Sequence, residues 1–94
     1  MGSQSAAELV GLPVRLNDVK LGRVVDVLFD GERTRILGFV VDCGDEASRF
    51  LPLAASQPTE KEIAVASALM LLDDVSFYRK RGVSYVELQR GAAA

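Results

Sequence analysis

Three aspartates, Asp26, Asp30 and Asp42, and the thiol of Cys43 are the side chains in the middle of this chain whose types could do chemistry. Paired carboxylates can act as general acid and base, and clustered carboxylate oxygens can hold calcium or magnesium, but their spacing here is not that of a calcium loop. Asp30 and Asp42 end hydrophobic runs, where solvation or turn hydrogen bonding accounts for them. Asp26 is less ordinary. Its apolar flanks place it where a carboxylate needs a partner, such as an arginine or a backbone amide. Cys43 is the only cysteine and the chain has no histidine, so a Cys-His nucleophile is impossible and a Cys/His zinc site cannot form within one subunit. With Asp42, Asp45 and Glu46 beside it, the thiol lacks the electropositive setting that activates a cysteine. No catalytic residue, cofactor site or metal site is expected.

A second cluster, Phe77-Tyr78-Arg79-Lys80-Arg81, is the one concentrated basic segment and carries two aromatics. Charge plus stacking could serve an RNA or partner contact. The plainer reading is that the three cations close a short helix and complement the negative end of its dipole, while the aromatics pack its other face on the rest of the domain.

The elements that must position these residues are mostly strands. Leu21 to Asp42 reads as a β-hairpin: LGRVVDVLFD and RILGFVVD alternate with period two and are joined by a turn-rich GERT, with Asp30-Gly31 favouring positive φ at the turn. Val25, Val27 and Phe29 share one face of the first strand with Leu37, Phe39 and Val41 of the second, and this set is the expected core, although which face turns inward could be reversed. The opposite face carries Val24, Leu28, Ile36 and Val40, an apolar stripe that something must cover. Val14 to Leu16, Ser48 to Leu53, Glu62 to Val65 and Val83 to Leu88 read as further short strands. A helix is expected over Val75 to Arg81, with Asp73 or Asp74 as N-cap and Gly82 as its end.

Ninety-four residues suit one domain with a self-sufficient core. Hydrophobic residues make up 49% of the chain, yet no apolar run approaches the roughly 18 residues that would cross a bilayer. A soluble protein is expected, and the lone cysteine fits a reducing cytoplasm. A net charge of −2 provides no general attraction to phosphate or to an anionic membrane surface. Residues 1–7 read as a disordered lead, 8–90 as the domain, and 91–94 as a tail or the edge of an excised piece. Five or six short antiparallel strands with one helix near the C-terminus make a small, mainly β barrel.

The ordered set Leu9-Val10-Gly11-Leu12-Pro13-Val14, Leu21 to Asp30, Arg35 to Asp42, Arg49-Phe50-Leu51-Pro52-Leu53 and Phe77 to Gly82 resembles the PRC-barrel family over about Glu8 to Leu88. That family is named for the cytoplasmic domain of the photosynthetic reaction-centre H subunit and includes the C-terminal domain of the ribosome-maturation factor RimM. The resemblance implies a β-barrel without enzyme activity that acts through protein contacts. These 94 residues contain neither the second domain of RimM nor the membrane anchor of the H subunit, so neither specific role is expected to carry over.

The expected function is a non-catalytic interaction or assembly module with an unidentified protein partner. Self-association as a homodimer is expected through Val24, Leu28, Ile36 and Val40. The alternative is an RNA-processing or ribosome-assembly factor by likeness to RimM, with Phe77, Tyr78, Arg79, Lys80 and Arg81 as the contact. Tight nucleic-acid binding and membrane binding are not expected.

Overall fold

The structure, a computed structural model, describes residues 6–32, 35–44 and 48–93, with side chains described as far as Gln89. One helical turn, α1 (Ala6–Leu9), precedes strands β1 (Pro13–Leu16), β2 (Val19–Phe29), β3 (Ile36–Asp42) and β4 (Ser48–Pro52). A 3-10 turn over Leu53–Ala55 leads to β5 (Ser56–Pro58) and β6 (Ile63–Val65), and a second over Ala68–Met70 leads to α2 (Val75–Arg81), β7 (Val83–Ser84) and α3 (Tyr85–Ala93).

All seven strands belong to one curled sheet, ordered β4-β3-β2-β1-β6-β5 with β7 pairing the end of β2. Every pairing is antiparallel except β1 with β6, which departs from the all-antiparallel expectation. Among the described residues no ladder joins β4 to β5, so the sheet is a half-barrel rather than a closed one. Leu72 shields the outer edge of β4, since the Phe50 and Leu72 amides each donate to the other's carbonyl at 2.8 Å. That bridge satisfies backbone groups an edge strand would otherwise leave open.

Two apolar clusters lie on opposite faces of the sheet. The inner one gathers Val14, Val24, Val27, Phe39, Val41, Leu51 and Ile63, with Leu9 of α1 closing one end. The outer one is built on Leu28, Val40 and Phe50, and Val25, Leu37, Leu72, Val75 and Tyr78 pack against it. Simple alternation assigns Val27, Phe29, Phe39 and Val41 to the inner side, and the structure agrees. It reverses Val25 and Leu37, which join the outer cluster, and Val24 and Ile36, which join the inner one.

The cause is a pair of register shifts. Val24 pairs with Val41 but Asp26 with Val40, leaving Val25 extra in β2, and Leu28 pairs with Gly38 but Phe29 with Ile36, leaving Leu37 extra in β3. Each extra residue advances the side-chain phase by one, which turns the strand over beyond it. Gly38 lies where the Phe50 ring crosses β3. A Cβ there would meet the ring at 2.6 Å and also the Leu51 carbonyl oxygen, so only glycine lets β4 lay its aromatic flat across the neighbouring strand.

Helix α2 has the expected bounds. The Asp74 carboxylate accepts from the Phe77 amide at 3.2 Å, and the Gly82 amide donates to the Tyr78 carbonyl at 2.9 Å. Gly82 is extended rather than left-handed. It is small because the helix end abuts β2, where a Cβ would come within 2.8 Å of the Phe29 carbonyl oxygen.

Four expectations need correction. The strand over Val83 to Leu88 stops after Ser84 and becomes α3. Ser84 and Glu87 stand in capping-box spacing, and the Ser84 hydroxyl accepts from the Glu87 amide at 3.1 Å. The backbone of 91–93 continues that helix instead of forming a tail. The lead ends earlier than residue 7, because Ala6 and Ala7 are helical and Ala6 joins the inner core; residues 1–5 lie outside the described part. Strand β5 pairs with β6 through Ser56, Gln57 and Pro58, a polar triplet without strand character in the sequence. The hairpin turn at Arg33-Thr34 and the loop residues Asp45 and Glu46 also lie outside the described residues.

Candidate interaction surface

The second register of β2 aims Asp26 away from the inner core and towards the C-terminal segment. Its side chain is buried, with 3% of its surface exposed, and both oxygens are occupied. Oδ2 accepts from Arg79 Nη1 at 3.2 Å and from the Ser84 hydroxyl. Oδ1 accepts from the amides of Val86 at 3.1 Å and Val27 at 2.8 Å. One carboxylate thus ties β2 to α2 through Arg79, to β7 through Ser84 and to the first turn of α3 through the Val86 amide. A negative charge at that helix start is favourable, and a buried carboxylate so fully hydrogen-bonded is an anchor. The partner that the sequence required for Asp26 comes from 53 and 60 residues away in the chain.

The anchor sets which side of α2 faces out. Val75 and Tyr78, three apart, share the face that covers the outer cluster, and Tyr78 stacks on Phe50 with centroids 4.1 Å apart and planes 9° from parallel. Phe77 stands edge-on to Tyr78 at 5.0 Å and keeps 41% of its surface exposed. The Arg81 guanidinium lies 3.7 Å over the Phe77 ring, a cation-π arrangement that holds it in place. The five-residue basic and aromatic segment is therefore divided: Tyr78 packs inward, Arg79 serves Asp26, and Phe77, Lys80 and Arg81 face solvent.

Beside α2 runs a groove of about 420 Å³, lined by Asp30, Leu37, Phe50, Pro52, Tyr78 and Arg81. It meets a second hollow of about 750 Å³ that shares Asp30 and Leu37 and continues along Arg35, Ile36 and Leu53. Leu37 reaches this groove because it is the extra residue of β3. Sequence reading missed the groove for that reason, and Phe50 and Pro52 enter it only through the pairing of β4 with β3.

The stripe assigned to self-association does not exist as one exposed face. Val24 and Ile36 turn into the inner cluster, while Leu28 and Val40, both 0% exposed, lie beneath the chain's own α2 and Leu72. Register shifts split the stripe, and the C-terminal segment covers what remains of it. The larger apolar side chains left open are elsewhere: Leu69 at 85% and Met70 at 38% exposure on the second 3-10 turn, and Val19 in the β1–β2 hairpin.

The other sequence candidates have local roles. Asp42 accepts from the Gly44 amide at 2.9 Å in the turn after β3, and Cys43 between them is half-buried with a free thiol. Among the described residues no three His, Cys, Asp or Glu side chains converge as metal ligands. No described helix is long and apolar enough to cross a membrane.

Comparison with known proteins bears on the barrel and on the first part of its cover. The family model of the PRC-barrel domain matches residues 1–77, from α1 through the curled sheet to the first turn of α2. Tyr78, Arg79, Ser84 and Val86, which seal the outer face and satisfy Asp26, come after the matched residues. Neither curated proteins nor solved structures provide a match. Six of the seven strands lie within the matched stretch, and the chain belongs to the PRC-barrel domain family.

Proposed function

We propose that this PRC-barrel domain is a non-catalytic protein-interaction or assembly module. The observation that carries this reading is the outward side of α2, where Phe77 and Arg81 stand locked together beside an apolar groove. Aromatic and arginine side chains in a pre-organised setting are the types that dominate binding energy at protein interfaces. Asp26, the one buried carboxylate of the described residues, is spent on four hydrogen bonds, and the anchored Arg79 fixes the helix that presents this surface.

Self-association as a homodimer belongs to the same proposal, with its contact on the turn carrying Leu69 and Met70. Two adjacent, solvent-facing apolar side chains suit a small two-fold patch better than residues already sealed within the chain. Sedimentation equilibrium from micromolar to submillimolar concentration tests this. A monomer–dimer equilibrium that Leu69→Asp abolishes supports it, and a clean monomer throughout removes it.

The RNA-associated alternative draws on the resemblance to RimM. It is weakened because Arg79 is engaged by Asp26, Tyr78 gives a ring face to Phe50 and Phe77 gives one to Arg81. Submicromolar RNA binding that falls with salt and disappears on neutralising Lys80 and Arg81 would reinstate it.

A further inference from the structure

We propose that the groove between α2 and the β2–β3 hairpin binds an extended acidic peptide segment of a partner protein, one whose apolar side chain is bracketed by Asp or Glu. This rests on the interaction-module reading and specifies its ligand class. Two observations carry it, the groove's lining and the charges at its ends.

The lining is largely apolar: Leu37, Phe50, Pro52 and Tyr78 form floor and wall, and the second hollow, which shares Asp30 and Leu37, adds Ile36 and Leu53 from the margin of the inner cluster. The two connected hollows are each of the size in which proteins seat a few side chains. The stacked Phe50–Tyr78 pair makes a rigid surface, so an incoming leucine or phenylalanine would meet little that must first be ordered.

Charge selects among apolar peptides. Arg81 stands at one end and Arg35 at the other, and neither guanidinium has an ion-pair partner among the described residues. Asp30 lies where the hollows meet, so two guanidinium groups against one carboxylate leave the rim net positive. Both arginines are exposed, and Arg81, which lines the groove, is held over the Phe77 ring. A planar guanidinium fixed in this way is suited to two-point hydrogen bonding of a carboxylate. The apolar floor gives no anchorage to a sugar-phosphate backbone, which favours a peptide over a nucleic acid.

The test is selection of a phage-displayed random decapeptide library on the whole chain, followed by anisotropy titration of the recovered peptides as labelled synthetics. Recovered peptides are expected to carry Leu, Ile or Phe flanked by Asp or Glu. Arg81→Glu and Arg35→Glu, both at exposed positions and checked for unchanged circular dichroism, should each weaken binding about threefold to tenfold at low salt. The double variant should select Lys- or Arg-flanked peptides instead. Peptides without the acidic-apolar pattern, or affinities indifferent to both reversals, would overturn the proposal. So would tighter binding of a labelled 20-nucleotide single-stranded RNA that is lost in Arg81→Glu. A Leu69-dependent dimer without such peptides would sink the groove alone; loss of both would sink the module reading with it.

Discussion

Asp26 gives up its hydration on folding and recovers it in four hydrogen bonds, one of them to a cation and one to the start of a helix. Without Asp26 the Ser84 hydroxyl and the Val86 and Val27 amides lose their acceptor, at about 1 to 3 kcal/mol for each donor left buried and unpaired. Asp26→Ala should therefore lower the urea midpoint strongly. Arg79→Ala should cost less, because the carboxylate keeps its hydroxyl and amide donors and Arg79 reaches it from the surface. Equal losses in the two variants would mean that the ion pair, rather than the whole set of donors, holds Asp26. The need for a partner was readable from one aspartate among valines and leucines. Its identity was not, because Arg79, Ser84 and Val86 reach it only after β2 turns over at Val25.

Elements with purely local determinants follow the sequence closely. Helix α2 begins and ends where its aspartate cap and glycine say it should, and β1 to β4 and β6 stand within two residues of their hydrophobic runs. Asp74→Ala should cost about 1 kcal/mol, as loss of an N-cap does, and should be seen as lower helicity together with a lower midpoint. Where local and distant signals compete, the distant one prevails. Val83 to Leu88 has the composition of a strand, yet after Val83 and Ser84 pair with β2 the Asp26 carboxylate and the Ser84 hydroxyl receive the free amides of a helix start. Phe39→Ala should cost about 3 to 5 kcal/mol, since this ring is wholly buried in the inner cluster. An unchanged denaturation midpoint would remove the hairpin from the core.

Across the whole molecule, one sheet buries apolar side chains on both faces, and its outer face is covered by Leu72 and Val75 within the residues matched by the family and by Tyr78 after them. Ending the chain before Asp74 should uncover Leu28, Val40 and Phe50, and the shortened protein should self-associate or aggregate at micromolar concentration. A stable, soluble monomer of that length would show that α2 and α3 are not the cover. A net charge of −2 also predicts weak binding to generic RNA or DNA at physiological salt, checked by filter binding across a salt series. By itself the sequence determined the strand-rich class, the central hairpin, α2 with its caps and the ordered motifs of the PRC-barrel family, because those depend on periodicity and turn chemistry over a few residues. Only the tertiary structure decided which residues of the hairpin face inward, that the self-association stripe is split and sealed, and that Leu37, Phe50 and Tyr78 share a groove. Two extra residues, one in each hairpin strand, set the phase of those side chains, and their positions are fixed by pairing between strands rather than by the pattern within either one.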